Sequence, residues 1–153
     1  MIKEAYVSFE VAKLLKEKGF DERSFASYDL KSQLQEGYGY WNKTPIWYAA
    51  PTHQMAMKWL REVHKIDIDI DAHCGMLGTR CYVAYVSTYK PYKLTDTDKK
   101  FGLTEDDVKH RLVQSKRNTR IPSKSEIIPA HESFDTYEEA VEAALKYVLE
   151  NLI

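Results

Sequence analysis

Hydrophobic and polar residues alternate with a period of two between positions 66 and 73. The isoleucines occupy positions 66, 68 and 70, and three aspartates and His73 occupy the positions between and after them. Because successive side chains of a β-strand point to opposite faces, this pattern predicts a half-buried strand with its isoleucines toward the core. A second strand at 79–89 is predicted to pair with it across a turn at Gly75 and Gly78.

The register of this hairpin follows from the side chains that it would bring together. Pairing Asp71 with Arg80 sets Asp69 opposite Tyr82 and places a cation among the aspartates. This pairing also puts three residues of the second strand on the isoleucine side, namely Cys81, Val83 and Tyr85. We therefore expect Arg80 to neutralise part of the acidic row.

Three segments combine a helical period with residues that begin and end helices. The first covers 9–18, with Ser8 as N-cap and Gly19 as the stop. The second begins after Thr52 and continues to position 65. The third begins at Thr136, where Glu139 completes a capping box. Two shorter apolar segments, 25–30 and 46–50, predict a pair of strands connected through 37–40.

The order of these elements predicts the fold class. We expect a single α+β domain over 1–153 with the order α-β-β-α-β-β-α, in which two hairpins form a four-stranded, mainly antiparallel sheet and three helices cover one face. The segment 90–125 is a long excursion before the last helix, and its loose pattern predicts a partly mobile insertion. Within it, Thr104 can begin a short helix at 104–113.

Composition narrows the class of protein. Hydrophobic residues make up 44% and charged residues 29%, which is typical of a folded domain in water. The net charge of -1 gives no global attraction for nucleic acid or for acidic membranes. The first twenty positions carry Lys and Glu throughout, and no apolar run approaches the ~20 residues of a membrane span. We therefore expect a cytoplasmic protein that does not bind a membrane.

The acidic strand face contains the candidate metal ligands. Alternate residues of a strand lie roughly 6.6 Å apart, so two neighbouring side chains can reach one ion but four cannot without severe bending. A solvated sheet face is the preferred alternative, and we expect no metal and no cofactor. The weak candidates are Asp67, Asp69, Asp71 and His73.

Catalytic motifs give no further support for an enzyme. The sequence contains no GxSxG elbow, no HExxH helix and no glycine-rich phosphate loop. The histidines at 53 and 64 are predicted to lie on the surface of the second helix, too far apart to share an ion. We propose no catalytic residue from the sequence.

A basic segment at 116–124 is the candidate for nucleic-acid binding. It contains no acidic residue, so its cations can neutralise phosphates. It also lacks interleaved aromatic residues, and a solvated loop is the alternative interpretation. The cations are Lys116, Arg117, Arg120 and Lys124.

Aromatic residues are the candidates for a protein interface. The chain has 11 tyrosines and 3 tryptophans, many for its length, and they concentrate around the first predicted strand pair. Tyrosine and tryptophan are enriched at interfaces, and they are equally common on ordinary strands. The interface candidates are Tyr38, Tyr40, Trp41 and Tyr48.

Three segments resemble a known family. They are SFEVAKLLKEKGFDE at 8–22, APT at 50–52 leading into KWLREVH at 58–64, and YEEA at 137–140. These segments resemble landmarks of small uncharacterised proteins from gut Bacteroides-type bacteria and their phages or prophages. The resemblance implies a phage or mobile-element origin and a cytoplasmic setting, and it carries over no catalytic residue.

Three hypotheses of function follow, in order of preference. The first is a non-enzymatic protein-protein interaction module that binds another protein or a second copy of this chain. The second is a nucleic-acid accessory protein that uses the basic segment. The third is a metal-dependent enzyme centred on the acidic strand face.

Overall fold

A computed structural model of the protein describes residues 4–74, 80–122 and 133–153. The elements, in chain order, are α1 (Phe9–Glu17), β1 (Ser24–Tyr28), β2 (Leu34–Gly39), β3 (Tyr48–Ala49), α2 (His53–Trp59), β4 (Ile66–Cys74), β5 (Arg80–Pro91), α3 (Asp96–Lys100), α4 (Glu105–Val108), β6 (Leu112–Arg120) and α5 (Tyr137–Asn151). A 3-10 turn, Trp41–Lys43, precedes β3, and a π-helical turn, Leu60–His64, continues α2. The α+β class is confirmed.

The three predicted helices are confirmed, together with the residues that begin them. The Ser8 hydroxyl accepts a hydrogen bond from the backbone N–H of Val11 at the start of α1. Thr52 caps α2 in the same way. Thr136 and Glu139 form both hydrogen bonds of a capping box at α5, 3.1 and 3.2 Å long. These contacts satisfy N–H groups that the first turn of a helix cannot bond internally.

The cap of α5 gives a direct test. Replacing Thr136 with alanine removes the side-chain acceptor for the Glu139 N–H. We expect Thr136→Ala to lower the free energy of unfolding by about 1 kcal/mol, measured by urea denaturation. Thr136→Ser retains a hydroxyl and is the control, expected to stay close to wild type. Equal losses in both variants would contradict a capping role.

The described strands belong to two antiparallel sheets instead of one four-stranded sheet, with three described strands in each. Their orders are β2-β1-β3 and β4-β5-β6, with antiparallel pairing throughout. The predicted pairing of 25–30 with 46–50 is confirmed only at Ser27 with Ala49 and Tyr28 with Tyr48. Most of the predicted 37–40 connection belongs to β2, which was missed because its side chains are mainly exposed and lack a buried alternating row.

The excursion at 90–125 contains more regular secondary structure than the sequence predicts. It contains α3, α4 and β6, and β6 pairs with β5 from Leu112 to Arg120. The helix predicted at 104–113 is only four residues long, because β6 begins at Leu112. Positions 123–125 of this segment lie outside the described residues. A mainly polar strand at a sheet edge has no strong hydrophobic period, which is why the sequence did not reveal β6.

The strands β4 and β5 are confirmed, but their predicted register is wrong. Cys74 lies opposite Arg80, and Ile70 and Ile68 lie opposite Ala84 and Val86. The predicted partner of Arg80 was Asp71. Its partner in the structure is Cys74, which is a shift of three residues along β4. As a result, Ala84 and Val86 are the buried residues of β5 that share a face with the isoleucines of β4. The predicted residues, Cys81, Val83 and Tyr85, lie on the opposite face.

The same shift removes Arg80 from the acidic row. Its guanidinium lies 5.7 Å from the ring centroid of Tyr82, and both residues belong to the face of the hairpin that carries the isoleucines. The face that carries the aspartates is also partly covered, because Val83 and Ser87 on the same face are buried. The acidic face is therefore less open to solvent than the alternating pattern alone implies.

The hydrophobic core lies between α5, the isoleucine face of β4 and β5, and the helices α1 and α2. Six residues of α5 are fully buried, and α5 contacts all four of these elements. One buried cluster includes residues of both sheets, such as Ala49 and Val86. No helix among the described residues is long and apolar enough to cross a bilayer. The six buried residues of α5 are Ala140, Val141, Ala144, Leu145, Val148 and Leu149.

Candidate functional site

The four predicted interface aromatics have different surroundings, and Trp41 belongs to the structure of the first sheet. Its indole N–H lies 3.2 Å from the carbonyl oxygen of Ser24 and 3.1 Å from that of Gly37, and it donates to both. A Cβ atom on Gly39 would lie 3.3 Å from the ring, so the glycines of β2 let the indole approach the strand. Trp41 is therefore a packing residue.

Tyr48 is likewise a packing residue. Its ring meets that of Phe9 edge to face, with 5.3 Å between centroids. The Lys16 ammonium lies 4.7 Å from the Tyr48 centroid. Both contacts connect β3 with α1, which is the role of a structural side chain on a short edge strand.

Tyr38 and Tyr40 are exposed, and they adjoin a groove that the sequence did not reveal. Tyr38 is 61% exposed and Tyr40 48%, and the neighbouring Phe25 is 55% exposed. A groove of about 610 Å³ lies between these strands and the beginning of α2, with Phe25 and Tyr38 along one side and Pro51 and Met55 along the other. We call it the β1–β2 groove. Three half-exposed aromatic rings at or beside one groove leave apolar surface that a partner can bury.

Arg23 lies at this groove and is held by tyrosine rings. Its guanidinium carbon is 4.1 Å from the ring centroid of Tyr38 and 5.4 Å from that of Tyr40. The Lys43 ammonium lies 4.3 Å from the Tyr40 centroid and 3.7 Å from an Asp21 carboxylate oxygen. Each cation–π contact at such an exposed site contributes ~0.5–1 kcal/mol. Arg23 itself forms no ion pair or side-chain hydrogen bond within the described part of the chain.

The basic segment has a different conformation from the predicted loop. Lys116 and Arg120 belong to β6, opposite Thr88 and Tyr85 of β5. Arg117 also lies within β6, and Lys124 lies outside the described residues. The structure therefore places three of the four cations along one strand. Nucleic-acid binding by this segment stays a prediction.

The acidic strand face has an arginine partner, but not the predicted one. Arg61 Nε lies 2.6 Å from an Asp67 carboxylate oxygen. Arg61 comes from the π-helical turn that leads into β4, so the pair links two consecutive elements. In the described ranges, no three His, Cys, Asp or Glu side chains lie close enough together to hold a metal ion. The remaining candidates, Asp69, Asp71 and His73, are exposed along β4.

A polar cluster, buried at His53, connects the beginnings of α1 and α2 to α5. His53 was predicted to lie on the surface, but it is 5% exposed, and its Nε2 lies 2.8 Å from Glu142 Oε1. The same Oε1 accepts the Ser8 backbone N–H at 2.8 Å, and Oε2 accepts the Ser8 hydroxyl at 2.7 Å. Because a carboxylate only accepts hydrogen bonds, Nε2 of His53 carries the proton in this contact.

This cluster does not have the order of a catalytic triad. In a triad the histidine lies between the hydroxyl and the carboxylate and takes the hydroxyl proton. Here Glu142 lies between Ser8 and His53 and accepts from both. The cluster therefore connects three helices. The sequence signal for it is a glutamate directly beside Val141 on the apolar stripe of α5.

A larger cavity of about 1070 Å³ adjoins the same cluster. Its lining is acidic, and three of its carboxylates are bound by donors of the chain itself. Glu10 pairs with Lys146 at 2.6 Å, Glu139 belongs to the α5 capping box, and Glu142 is bound by Ser8 and His53. These three carboxylates at the cavity therefore have structural roles.

His64 is a second histidine with an unexpected environment. Its ring lies 4.6 Å from that of Trp59, and its Nε2 is buried without a hydrogen-bond partner among the described residues. Burial disfavours the charged imidazolium and lowers the pKa of His64 below its ordinary value of 6.5.

The lowered pKa of His64 predicts a pH effect on stability. The unfolded chain takes up a proton at higher pH than the folded chain does, so the His64 contribution is complete above pH 6.5 and is lost as pH falls below it. We expect the urea midpoint of wild type to fall more than that of His64→Gln from about pH 7.5 to about pH 5. Parallel decreases in the two proteins would contradict this assignment.

Comparison with known proteins places no further constraint on this site. No protein-family model matches the chain, and neither does any curated protein or solved structure. The function therefore has to be argued from the groove, its charges and its exposed rings.

Proposed function

We propose that this chain is a non-enzymatic interaction module that binds a short segment of another protein in the β1–β2 groove. The observation that carries the proposal is the groove of about 610 Å³ with Phe25 and Tyr38 half-exposed along one side. Aromatic side chains offer large contact area and lose little conformational freedom on binding, which is why they dominate the energetics of protein interfaces.

The position of these rings supports a binding role over a folding role. Phe25 alternates with Ser24 and Ala26 on β1, both of which are buried, so Phe25 points away from the core. Trp41 and Tyr48, by contrast, have packing partners inside the fold. Phe25 is therefore best explained by an external contact.

The size and composition of the groove favour a short peptide segment as its occupant. A volume of about 610 Å³ holds a few side chains, not the face of a folded domain. Met55, which is half-buried, adds apolar surface to the lining of the groove. Met side chains adapt their shape to a bound apolar group. We therefore commit to a peptide segment of a different protein, and a second copy of this chain is an outcome that the test would reveal.

The proposal predicts a selective loss of peptide binding. Short random peptides are selected by display against immobilised protein, and the enriched peptides are measured by fluorescence anisotropy. We expect Phe25→Ser and Tyr38→Ser each to weaken binding about tenfold or more, since each removes an aromatic contact of roughly 1.4 kcal/mol.

Phe101 provides a matched control for this experiment. It is 82% exposed beside α3 and lies outside the groove. Phe101→Ser should bind the selected peptides as wild type does. Failure to enrich any peptide, or peptides that bind Phe25→Ser and Tyr38→Ser normally, would refute the proposal. Self-association that Tyr38→Ser abolishes in sedimentation velocity would instead assign the groove to a second copy.

The phage or mobile-element origin implied by the family resemblance is compatible with a binding role and stays a prediction. The nucleic-acid and metal-dependent hypotheses also stay predictions, and the described residues provide no observation that favours either over the groove.

A further inference from the structure

The geometry around Arg23 points to the chemistry of the partner. Building on the proposed peptide-binding function, we infer that the bound segment carries an aspartate or glutamate whose side-chain carboxylate pairs with Arg23, next to an apolar residue that fills the β1–β2 groove. Arg23 is positioned by two rings and has no anionic partner among the described residues.

Stacking orients Arg23 without using its hydrogen-bond donors. A guanidinium over a tyrosine ring contacts it through the flat face, and its N–H groups lie around the perimeter of that plane. Its guanidinium carbon lies 4.1 Å from the ring centroid of Tyr38 and 5.4 Å from that of Tyr40, so the side chain contacts two rings. Its donors bind no carboxylate within the described residues. A carboxylate is the group that the paired N–H donors of arginine match best.

Neighbouring charges increase the preference for an anion. Lys43 lies over the same Tyr40 ring as Arg23, so two cations flank one aromatic side chain. Asp21 is 3.7 Å from Lys43 and forms no ion pair with Arg23. A carboxylate that arrives at Arg23 therefore relieves the repulsion between two like charges.

Other charges in the groove favour a single carboxylate over a nucleic-acid strand. Glu4 and Glu36 also line the groove, and they would repel a chain of phosphates. One acidic side chain followed by an apolar one can reach Arg23 and leave these glutamates in solvent. The donor is also one arginine side chain, whereas C-terminal carboxylates are characteristically held by backbone N–H nests. We therefore assign the carboxylate to a side chain.

The test uses the peptides selected in display and the full chain. We expect the enriched peptides to share an acidic residue at one position beside an apolar residue. Replacing that acidic residue by its amide should weaken binding to wild type about tenfold, as expected for loss of a charge-assisted hydrogen bond. Against Arg23→Gln, the acidic peptide and its amide should bind equally. Lys43→Gln is the matched control and should retain most of the discrimination.

The outcomes separate this inference from the proposed function. If the peptides show no acidic preference but Tyr38→Ser still weakens them, the inference fails and the proposed function stands. If Tyr38→Ser has no effect, the proposed function fails. Binding of a labelled oligothymidine that both Arg23→Gln and Tyr38→Ser abolish would assign this surface to nucleic acid and overturn the inference. Arg23 is exposed, and unchanged urea denaturation of Arg23→Gln would show that the variant folds.

Discussion

Glu142→Ala is expected to lower the free energy of unfolding by about 3 kcal/mol, because it leaves a buried histidine without its acceptor. His53 is 5% exposed, so removing the carboxylate leaves its Nε2 proton in a largely buried position without its acceptor. The Ser8 donors are exposed and can be hydrated, so most of the loss comes from His53. Equilibrium denaturation in urea at neutral pH measures the effect.

Two further variants show which part of the cluster carries this stability. Glu142→Gln retains one oxygen that can accept from His53, and it should lose only about 1 kcal/mol. Ser8→Ala removes the α1 cap and one donor to Glu142, also with a loss of about 1 kcal/mol. If Glu142→Ala is no more destabilised than Ser8→Ala, the buried pair with His53 contributes little, and the interpretation of this cluster is wrong.

The second large effect is expected at Ile68. This residue is 4% exposed and lies opposite Val86 in the face that packs against α5. Ile68→Ala should lower the free energy of unfolding by about 3 kcal/mol, because it removes three buried carbon atoms and leaves a cavity. The next residue provides the control. Asp69 is exposed on the opposite face, and Asp69→Ala should change the stability by no more than about 0.5 kcal/mol.

The contrast between two adjacent residues tests the orientation of β4 itself. If the strand were shifted by one residue, the sensitive and tolerant positions would exchange. Similar losses in Ile68→Ala and Asp69→Ala would mean that the alternation does not separate a core face from an outer face.

Local signals in the sequence predicted the elements that depend on a few neighbouring residues. The capping residues Ser8, Thr52 and Thr136 each begin the expected helix, because cap hydrogen bonds involve residues three positions apart. The isoleucine alternation predicted β4, because its period records which face is buried. Both kinds of signal are contained within one element of the chain.

Contacts between distant residues were much less predictable. The strands β2 and β6 have mainly polar sequences, and their existence depends on pairing with β1 and β5. The contact between His53 and Glu142 joins residues 89 positions apart, so no spacing rule could find it. The register of β4 with β5 is a pairing between two separate strands, and the predicted Asp71–Arg80 pair is wrong.

The same contrast between local signals and long-range contacts applies to the residues of the candidate site. An abundance of aromatic residues near the first strands identified Tyr38 and Tyr40 as exposed candidates, but it could not separate them from Trp41 and Tyr48, which pack inside the fold. Arg23 was not recognised at all. Arg23 is positioned by the rings of Tyr38 on β2 and Tyr40 just beyond it, and the sequence did not predict β2.

The acidic row on β4 has a consequence for assembly. This strand lies at one edge of its sheet in the described part of the chain, so its outer backbone groups can pair with a strand of another molecule. Any antiparallel pairing of two β4 strands that keeps the isoleucines together sets aspartate opposite aspartate. The three acids therefore oppose edge-to-edge association of two copies through this strand.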